Sequence, residues 1–268
     1  MDGKGVYIHL EPAAEPWRQF MALMWAISLR EMKGRYRRSA LGLLWAVLPP
    51  VFYAGLFTVL QGILHIRTDD VPYVLFAYAG LVPWAFFVNA VNRCGGSVGA
   101  NAGIVKKVAV PRVVFPVTAV VTALADFAVS SVLLAGLLAW FGIHPAVAWL
   151  WLVPLLLITS LFSLGCGLVV GALGTFLQDV LFGLPLVMQL WMLATPIMYP
   201  LTQVPPGWMP LYILNPMVGI IEGFRQVLIR QQAPDFGLLA VSVVATACVW
   251  VIGWPLFRFL SQHFADAV

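Results

Sequence analysis

The sequence predicts an all-α membrane protein: six transmembrane helices, an N-terminal amphipathic interface helix, and a re-entrant periplasmic hairpin between helices five and six. Three observations carry this expectation. Of 268 residues, 62% are hydrophobic and 10% charged, whereas soluble domains carry roughly 25% charged residues. The apolar residues fall in runs that match the roughly 20 residues a helix needs to cross about 30 Å of hydrocarbon. The fifteen Lys and Arg cluster between those runs. Such a chain is neither an ordinary soluble enzyme nor a disordered segment. Its net charge of +4 is placed for membrane topology, which argues against nucleic-acid binding. Residues 1–268 read as one transmembrane domain.

The first element, 17–38, does not span, because its charge-free run 19–29 is too short. Trp17, Phe20, Met24 and Ile27 recur at helical spacing, and Arg30, Lys33 and Arg37 continue it with charge. The pattern predicts a helix lying in the cytoplasmic interface. Its basic cluster, Arg30, Lys33, Arg35, Arg37 and Arg38, has two compatible uses. It anchors on anionic membrane lipids, each charge contributing about 1 kcal/mol, and it can meet the anionic headgroup of a lipid-linked substrate. Span one covers 40–64, with Pro49-Pro50 expected to kink it, and span two covers 71–92. A small-residue stretch at 95–103 then leads to Lys106, Lys107 and Arg112. Span three runs over 113–141 and contains Asp126. A Gly142–Pro145 turn precedes span four at 147–174. Asp179 marks the turn before span five at 180–199, and span six covers 237–257.

Between spans five and six, Pro205-Pro206-Gly207 breaks the chain. Residues 211–229 are apolar enough to suggest a seventh span, but Glu222 and Arg225 lie within them, and a lipid-facing charge at mid-membrane costs several kcal/mol. The segment 201–234 therefore reads as a re-entrant or interfacial hairpin, its backbone covered by protein or facing a cavity. A full span is the other reading. Glu222 and Arg225, three apart, can pair on one helical face.

With both termini cytoplasmic, twelve of the fifteen Lys and Arg fall in the inside segments 1–39, 93–112, 175–179 and 258–268. That satisfies the positive-inside rule, and the inverted topology does not. The opening residues, with Asp2, Glu11 and Glu15, do not read as a removable signal peptide.

Catalytic chemistry is not legible. No Lys precedes Ser or Thr, so a phosphate-binding Walker loop is absent. The four histidines lie in loops or at segment ends. Cys94, Cys166 and Cys248 share no metal-ligand or disulfide spacing, and neither metal nor cofactor is expected. Asp126 reads as a packing or channel-lining hydrogen-bonding group, since a proton relay would need further partners at its depth. Aromatic residues are abundant. Interfacial belts explain most of them, but flat rings also stack on sugar C–H faces, which makes Trp45, Tyr53, Tyr78, Trp84, Phe87, Trp191 and Tyr199 candidates for lining a pore.

Several stretches carry a resemblance. They include Arg30-Glu31-Met32-Lys33-Gly34-Arg35-Tyr36-Arg37-Arg38 with Trp45, Phe76-Ala77-Tyr78-Ala79-Gly80-Leu81-Val82-Pro83-Trp84, and Asn101-Ala102-Gly103-Ile104-Val105-Lys106-Lys107. Pro196-Ile197-Met198-Tyr199-Pro200 and Leu214-Asn215-Pro216-Met217 with Glu222-Gly223-Phe224-Arg225 follow. Together they resemble the ABC-2 type permeases that export polysaccharides, the membrane halves of O-antigen, teichoic acid and capsule exporters. The resemblance implies a homodimer working with two copies of a separate nucleotide-binding ATPase subunit that binds the ATP. It implies a coupling helix over 97–110 docking on that ATPase, with Asn101, Ile104, Val105 and Lys106 as contacts. It implies that 201–234, with Glu222 and Arg225, gates the external mouth. The sequence departs from the family after span four, where Phe176-Leu177-Gln178-Asp179 keeps only the acid of a basic motif. The expected function is export of a polyprenyl-pyrophosphate-linked polysaccharide, O-antigen foremost, across the bacterial inner membrane. The rival expectations are an ABC-2 permease for a drug or small lipid, and an intramembrane enzyme of lipid-linked sugars.

Overall fold

The computed structural model describes residues 16–36, 42, 44–64, 71–107 and 110–264. All regular structure among them is helical. In chain order the helices are α1 (Pro16–Tyr36), α2 (Leu44–Leu64), α3 (Tyr73–Ala100), α4 (Ala102–Lys107) and α5 (Val114–Trp140). A 3-10 turn at Val147–Trp151 leads into α6 (Leu152–Gly174). Then come α7 (Gln178–Leu193), α8 (Met209–Ile213), α9 (Pro216–Leu228) and α10 (Phe236–Ser261).

Five helical segments, α2, α3, α5, the turn with α6, and α10, are long and apolar enough to cross a membrane. The expected fifth span is shorter than the sequence suggested. Helix α7 has 16 residues, about 24 Å at 1.5 Å per residue, and Ala194 to Pro200 continue as turns. The segment 201–234 holds two short helices broken at Leu214–Asn215. With 13 residues, α9 measures about 20 Å, less than the hydrocarbon thickness. Neither helix within 211–229 is long enough to cross by itself.

Helix α3 is the axis of the bundle and packs against α2, α5, α6, α7 and α9. It outruns the expected span two: the small-residue stretch stays helical to Ala100. Gly95, Gly96 and Gly99 therefore continue a helix wall. Arg93, counted among the loop cations, sits inside this helix. The main core gathers Leu75, Tyr78, Phe87, Phe162, Ile220 and Phe224 around α3. A second cluster joins α1 to the far ends of α5 and α10 through Ile27, Val105, Phe115, Phe257 and Phe264.

Proline placement shows how a membrane helix keeps its backbone satisfied. Pro50 carries no N–H, so the Ala46 carbonyl four residues earlier loses its helical donor. The Ser130 hydroxyl of α5 donates to that carbonyl at 3.0 Å. The Ser130 carbonyl in turn accepts from the Tyr78 hydroxyl at 3.3 Å. One broken rung in α2 is thus repaired by a chain of polar groups reaching α3, as a dry environment requires.

Helices α9 and α10 meet backbone to backbone. A Cβ at Gly219 would lie 2.3 Å from the Leu238 carbonyl oxygen and 2.5 Å from Ser242 Oγ. The Ser242 hydroxyl also donates to the Pro216 carbonyl at 2.7 Å. Gly219→Ala should therefore push the helices apart, with an overpacking cost of about 1–3 kcal/mol. Gly183→Ala on α7, where a Cβ meets nothing within 4 Å, is the control. Thermal unfolding in detergent should show a lowered midpoint for the first and none for the second.

Candidate functional site

The turns after α7 and helix α9 are held by one buried cation. Arg225 is 2% exposed. Its two terminal nitrogens donate to the carbonyls of Pro196 and Ile197, each at 2.7 Å, and its Nε donates to the Phe76 carbonyl at 3.3 Å. The guanidinium lies 3.6 Å over the Phe76 ring and 3.8 Å from the Glu222 carboxylate. A planar fork with five donors suits this set of carbonyls, and a lysine ammonium does not. Gly80 makes the approach possible, because a Cβ there would stand 2.7 Å from an Arg225 nitrogen. Arg230 approaches the other Glu222 oxygen at 3.9 Å. The expected Glu222–Arg225 pairing is present, but the carbonyls are the stronger partners.

Asn215 closes the same cap from the other side. It accepts from the Trp191 indole at 3.0 Å and from the Met217 N–H at 3.1 Å, so it caps α9. Its amide donates to Thr195 Oγ1 at 2.9 Å. The Tyr73 hydroxyl donates to the Met198 carbonyl at 2.6 Å, and the Tyr199 and Tyr212 hydroxyls bond to each other at 2.7 Å.

Deeper in the bundle, Arg93 of α3 pairs with Asp126 of α5. The intramembrane acid thus has a cationic partner. Sequence spacing hid the partner, since Arg93 was assigned to a loop.

A groove of about 290 Å3 lies between α2, α3 and α7. Tyr53 supplies an open aromatic face to it, the largely buried Trp84 forms part of its floor, and Asn89, Asn92 and Gln189 supply amides. Amides donate and accept at once, which suits hydroxyl-rich ligands, and the lining carries no charge. Pro49-Pro50 and Pro185 face it from α2 and α7. The flanking surfaces of α2 and α7 are apolar and open, with Phe52, Val59 and Ile63 on one and Phe182, Leu186 and Leu190 on the other.

At the α4 end, Asn101 joins three helices. Arg30 of α1 donates to its side-chain oxygen. Its amide donates to the Ser97 carbonyl at 2.9 Å and to Glu31 of α1 at 3.4 Å. Arg112 donates to the Ser261 carbonyl at the end of α10.

Several candidates are relocated by this geometry. Tyr78 and Phe87, offered as pore-lining aromatics, are buried in the core; Phe87 stacks on Phe162 at 5.3 Å and meets Trp191 edge-on at 5.2 Å. Both are packing groups: Tyr78 turns toward α5, where its hydroxyl reaches Ser130, and Phe87 turns toward α6 and α7. Tyr53 and Trp84 reach the groove, Trp45 is exposed on α2, and Trp191 and Tyr199 belong to the cap. Of the four coupling contacts, Asn101 and Val105 are buried against their own chain, Ile104 is half-buried and Lys106 is exposed. Asn101 and Val105 hold α4 on the bundle and are not surface contacts. Of the basic cluster, Arg30 is committed to Asn101 and Lys33 is exposed. Arg37, Arg38 and the side chain of Arg35 lie outside the described residues. On α1 the inward face is Phe20, Leu23, Met24 and Ile27, while Trp17, Met21, Trp25 and Leu29 form a separate exposed stripe. The helix thus has two apolar faces, and Trp17 belongs to the outer one. Asn89, Asn92 and Gln189 were missed: single amides inside apolar runs carry no spacing signal, and only α2 and α7 coming together around α3 selects them.

The family described as ABC-2 type transporter matches residues 22–229. The chain is 28% identical over 257 residues to the O-antigen export system permease protein RfbA of Myxococcus xanthus, covering 93% of this chain and 96% of that protein. It is 26% identical over 245 residues to the protein of the same name from Klebsiella pneumoniae, covering 91% and 94%. It is also 26% identical over 239 residues to the polysialic acid transport protein KpsM of Escherichia coli, covering 87% and 91%.

Two stability experiments follow from the buried charges. Arg225→Lys should destabilise the fold substantially, because an ammonium cannot serve the Pro196 and Ile197 carbonyls as a fork; chemical unfolding in detergent micelles measures it. Arg93→Met alone should cost up to about 3–5 kcal/mol by taking the cation from the buried Asp126 carboxylate, whereas Arg93→Met with Asp126→Leu should recover most of that loss. Equal destabilisation by the single and the double variant would show that the ion pair itself, not the stranded charge, matters.

Proposed function

This chain belongs to the ABC-2 type transporter family, and on that premise we propose that it is the membrane-spanning permease subunit of an ABC exporter for polysaccharide. The observation that carries the reading is the groove, where Tyr53 and Trp84 stand beside Asn89, Asn92 and Gln189 without a single charge. Aromatic faces for C–H surfaces and amides for hydroxyls describe a surface on which a sugar chain can bind weakly and slide. The names carried by the O-antigen and polysialic acid relatives point to the same cargo class.

In this proposal the chain works as a homodimer with two copies of a nucleotide-binding ATPase that binds and hydrolyses the ATP. The open apolar faces of α2 and α7 flank the groove, so a second copy meeting them would close two grooves into one pore. The segment 97–110 is the coupling helix. With Asn101 and Val105 turned inward, Lys106 and the exposed Gly103 are its outward residues toward the ATPase. A push there reaches α1 through Asn101. The stripe Trp17, Met21, Trp25 and Leu29 seats α1 in the cytoplasmic interface of the inner membrane. Lys33, Arg35, Arg37 and Arg38 receive the pyrophosphate of a polyprenyl-linked polymer, O-antigen foremost. Residues 201–234 form the re-entrant external gate, pinned by Arg225. Both termini are cytoplasmic.

Conditional depletion tests the cargo. Surface polysaccharide should fall while polyprenyl-linked polymer accumulates inside; if both pools stay normal, the polysaccharide reading fails and a drug or small-lipid permease takes its place. In the same assay Tyr53→Ala with Gln189→Ala should reduce surface polymer severalfold at unchanged protein level. Glutamate at Arg35, Arg37 and Arg38 together should abolish export while the ATPase still co-purifies, and normal export by that triple variant would sink the headgroup role.

A further inference from the structure

A second cavity, of about 270 Å3, opens on another face of α3, where Val82 and Pro83 replace Leu81 and Trp84 as the wall. Its remaining walls come from α5, α6, α9 and the 147–151 turn. The lining is apolar, with Phe127, Leu138, Leu156, Phe224 and Leu228 among it, and only Ser131 and Trp149 add polar atoms. Along α5 the wall runs from Leu138 to Phe127, about 16 Å at 1.5 Å per residue. The shape is a slot, and no charged or amide side chain lines it.

One residue lining this slot carries an unmatched atom. The Trp149 Nε1 is buried and has no hydrogen-bond partner among the described residues, and it is the one buried side-chain nitrogen or oxygen among them in that condition. A buried donor is normally paired. Trp149 stands three residues ahead of α6, at the end of a span, the level where tryptophans meet the membrane interface. The surroundings are apolar as well: no Asp, Glu, Lys or Arg occurs between Asp126 and Asp179, and Trp140, Val147, Leu150 and Val153 are exposed. A phospholipid places its ester carbonyls at that level and its chains below it.

We propose that this slot binds one acyl chain of a phospholipid, with the Trp149 indole N–H donating to the chain's ester carbonyl. The chain lies along α5 from the Trp149 level toward Phe127. Phe224 and Leu228 flank Arg225 on α9, so the bound chain also backs the helix that Arg225 positions. The inference does not depend on the cargo of the groove.

The test uses the full-length protein purified in detergent and offered an equal mixture of diester and diether phosphatidylglycerol of the same chain length. Native mass spectrometry reads the retained lipid. The wild-type protein should retain the diester roughly fivefold over the diether, the yield of one neutral hydrogen bond. Trp149→Phe should bring that ratio to one. Ala135→Phe, at a lining position that is exposed and needs no core repacking, should reduce retention of both. Equal retention of the two lipids by the wild-type protein overturns the proposal. So does a preference that survives Trp149→Phe, or displacement of the diester by a polyprenol, which has no carbonyl. If Trp149→Phe does not fold, the wild-type ratio and the Ala135→Phe retention decide the matter by themselves.

Discussion

The Arg225 guanidinium is the contact on which the upper half of the molecule depends. Pro196 and Ile197 sit in turns after a helix too short to cross, so their carbonyls have no helical donors. Water cannot serve them inside a bundle. Arg225 serves both, adds the Phe76 carbonyl, and lies on the Phe76 ring. Three elements distant in sequence, α3, the 194–200 turns and α9, thereby acquire one relative position. Removing the cation would strand two carbonyls and leave Arg230 as the cation nearest Glu222 among the described residues. The geometry also explains a shortened α7: its chain can leave helical structure at Leu193 because a donor from another element is waiting.

The same constraint recurs wherever the backbone ladder is interrupted. Pro50 frees the Ala46 carbonyl, and Ser130 answers it. Met217 N–H at the start of α9 is answered by Asn215, and Gly237 and Leu238 N–H at the start of α10 by Asp235. Arg112 answers the Ser261 carbonyl at the end of α10. In water such groups have solvent as a second partner, whereas inside hydrocarbon a protein group must answer them. Here they knit helices together, which is why so many short polar residues occur inside charge-free runs.

The membrane class, the positions of the long helices and the breaks near Pro145 and Pro205 were legible because hydrocarbon imposes a length and an absence of charge that can be read directly. The end of α3 was not. Small residues at 95–100 look like a loop to propensity, yet packing against α6 and α7 keeps them helical, and this carried Arg93 to Asp126. Aromatic candidates were legible as a class only. Tyr78 and Trp84 are six positions apart on one helix and no composition argument separates them, but the first is buried with its hydroxyl on α5 while α2 and α7 leave the second on the groove. The Arg30–Asn101 contact was likewise invisible, since it joins residues 71 apart with two long apolar helices, α2 and α3, between them.

Helix α3 separates two chemistries. Leu81, Trp84, Ala85 and Val88 face the groove, which has amides; Val82 and Pro83 face the slot, which has one unmatched indole. Pro83 places no backbone donor toward its neighbours, and Trp84 beside it carries the groove's largest ring. A tilt or rotation of α3 changes both walls together, because a packed helix moves as a unit and its interior does not deform continuously. The Arg225 fork, bonded to the Phe76 carbonyl on this helix, fixes where that unit stands relative to α9. A displacement of α3 must therefore either carry α9 along or break the Phe76 bond.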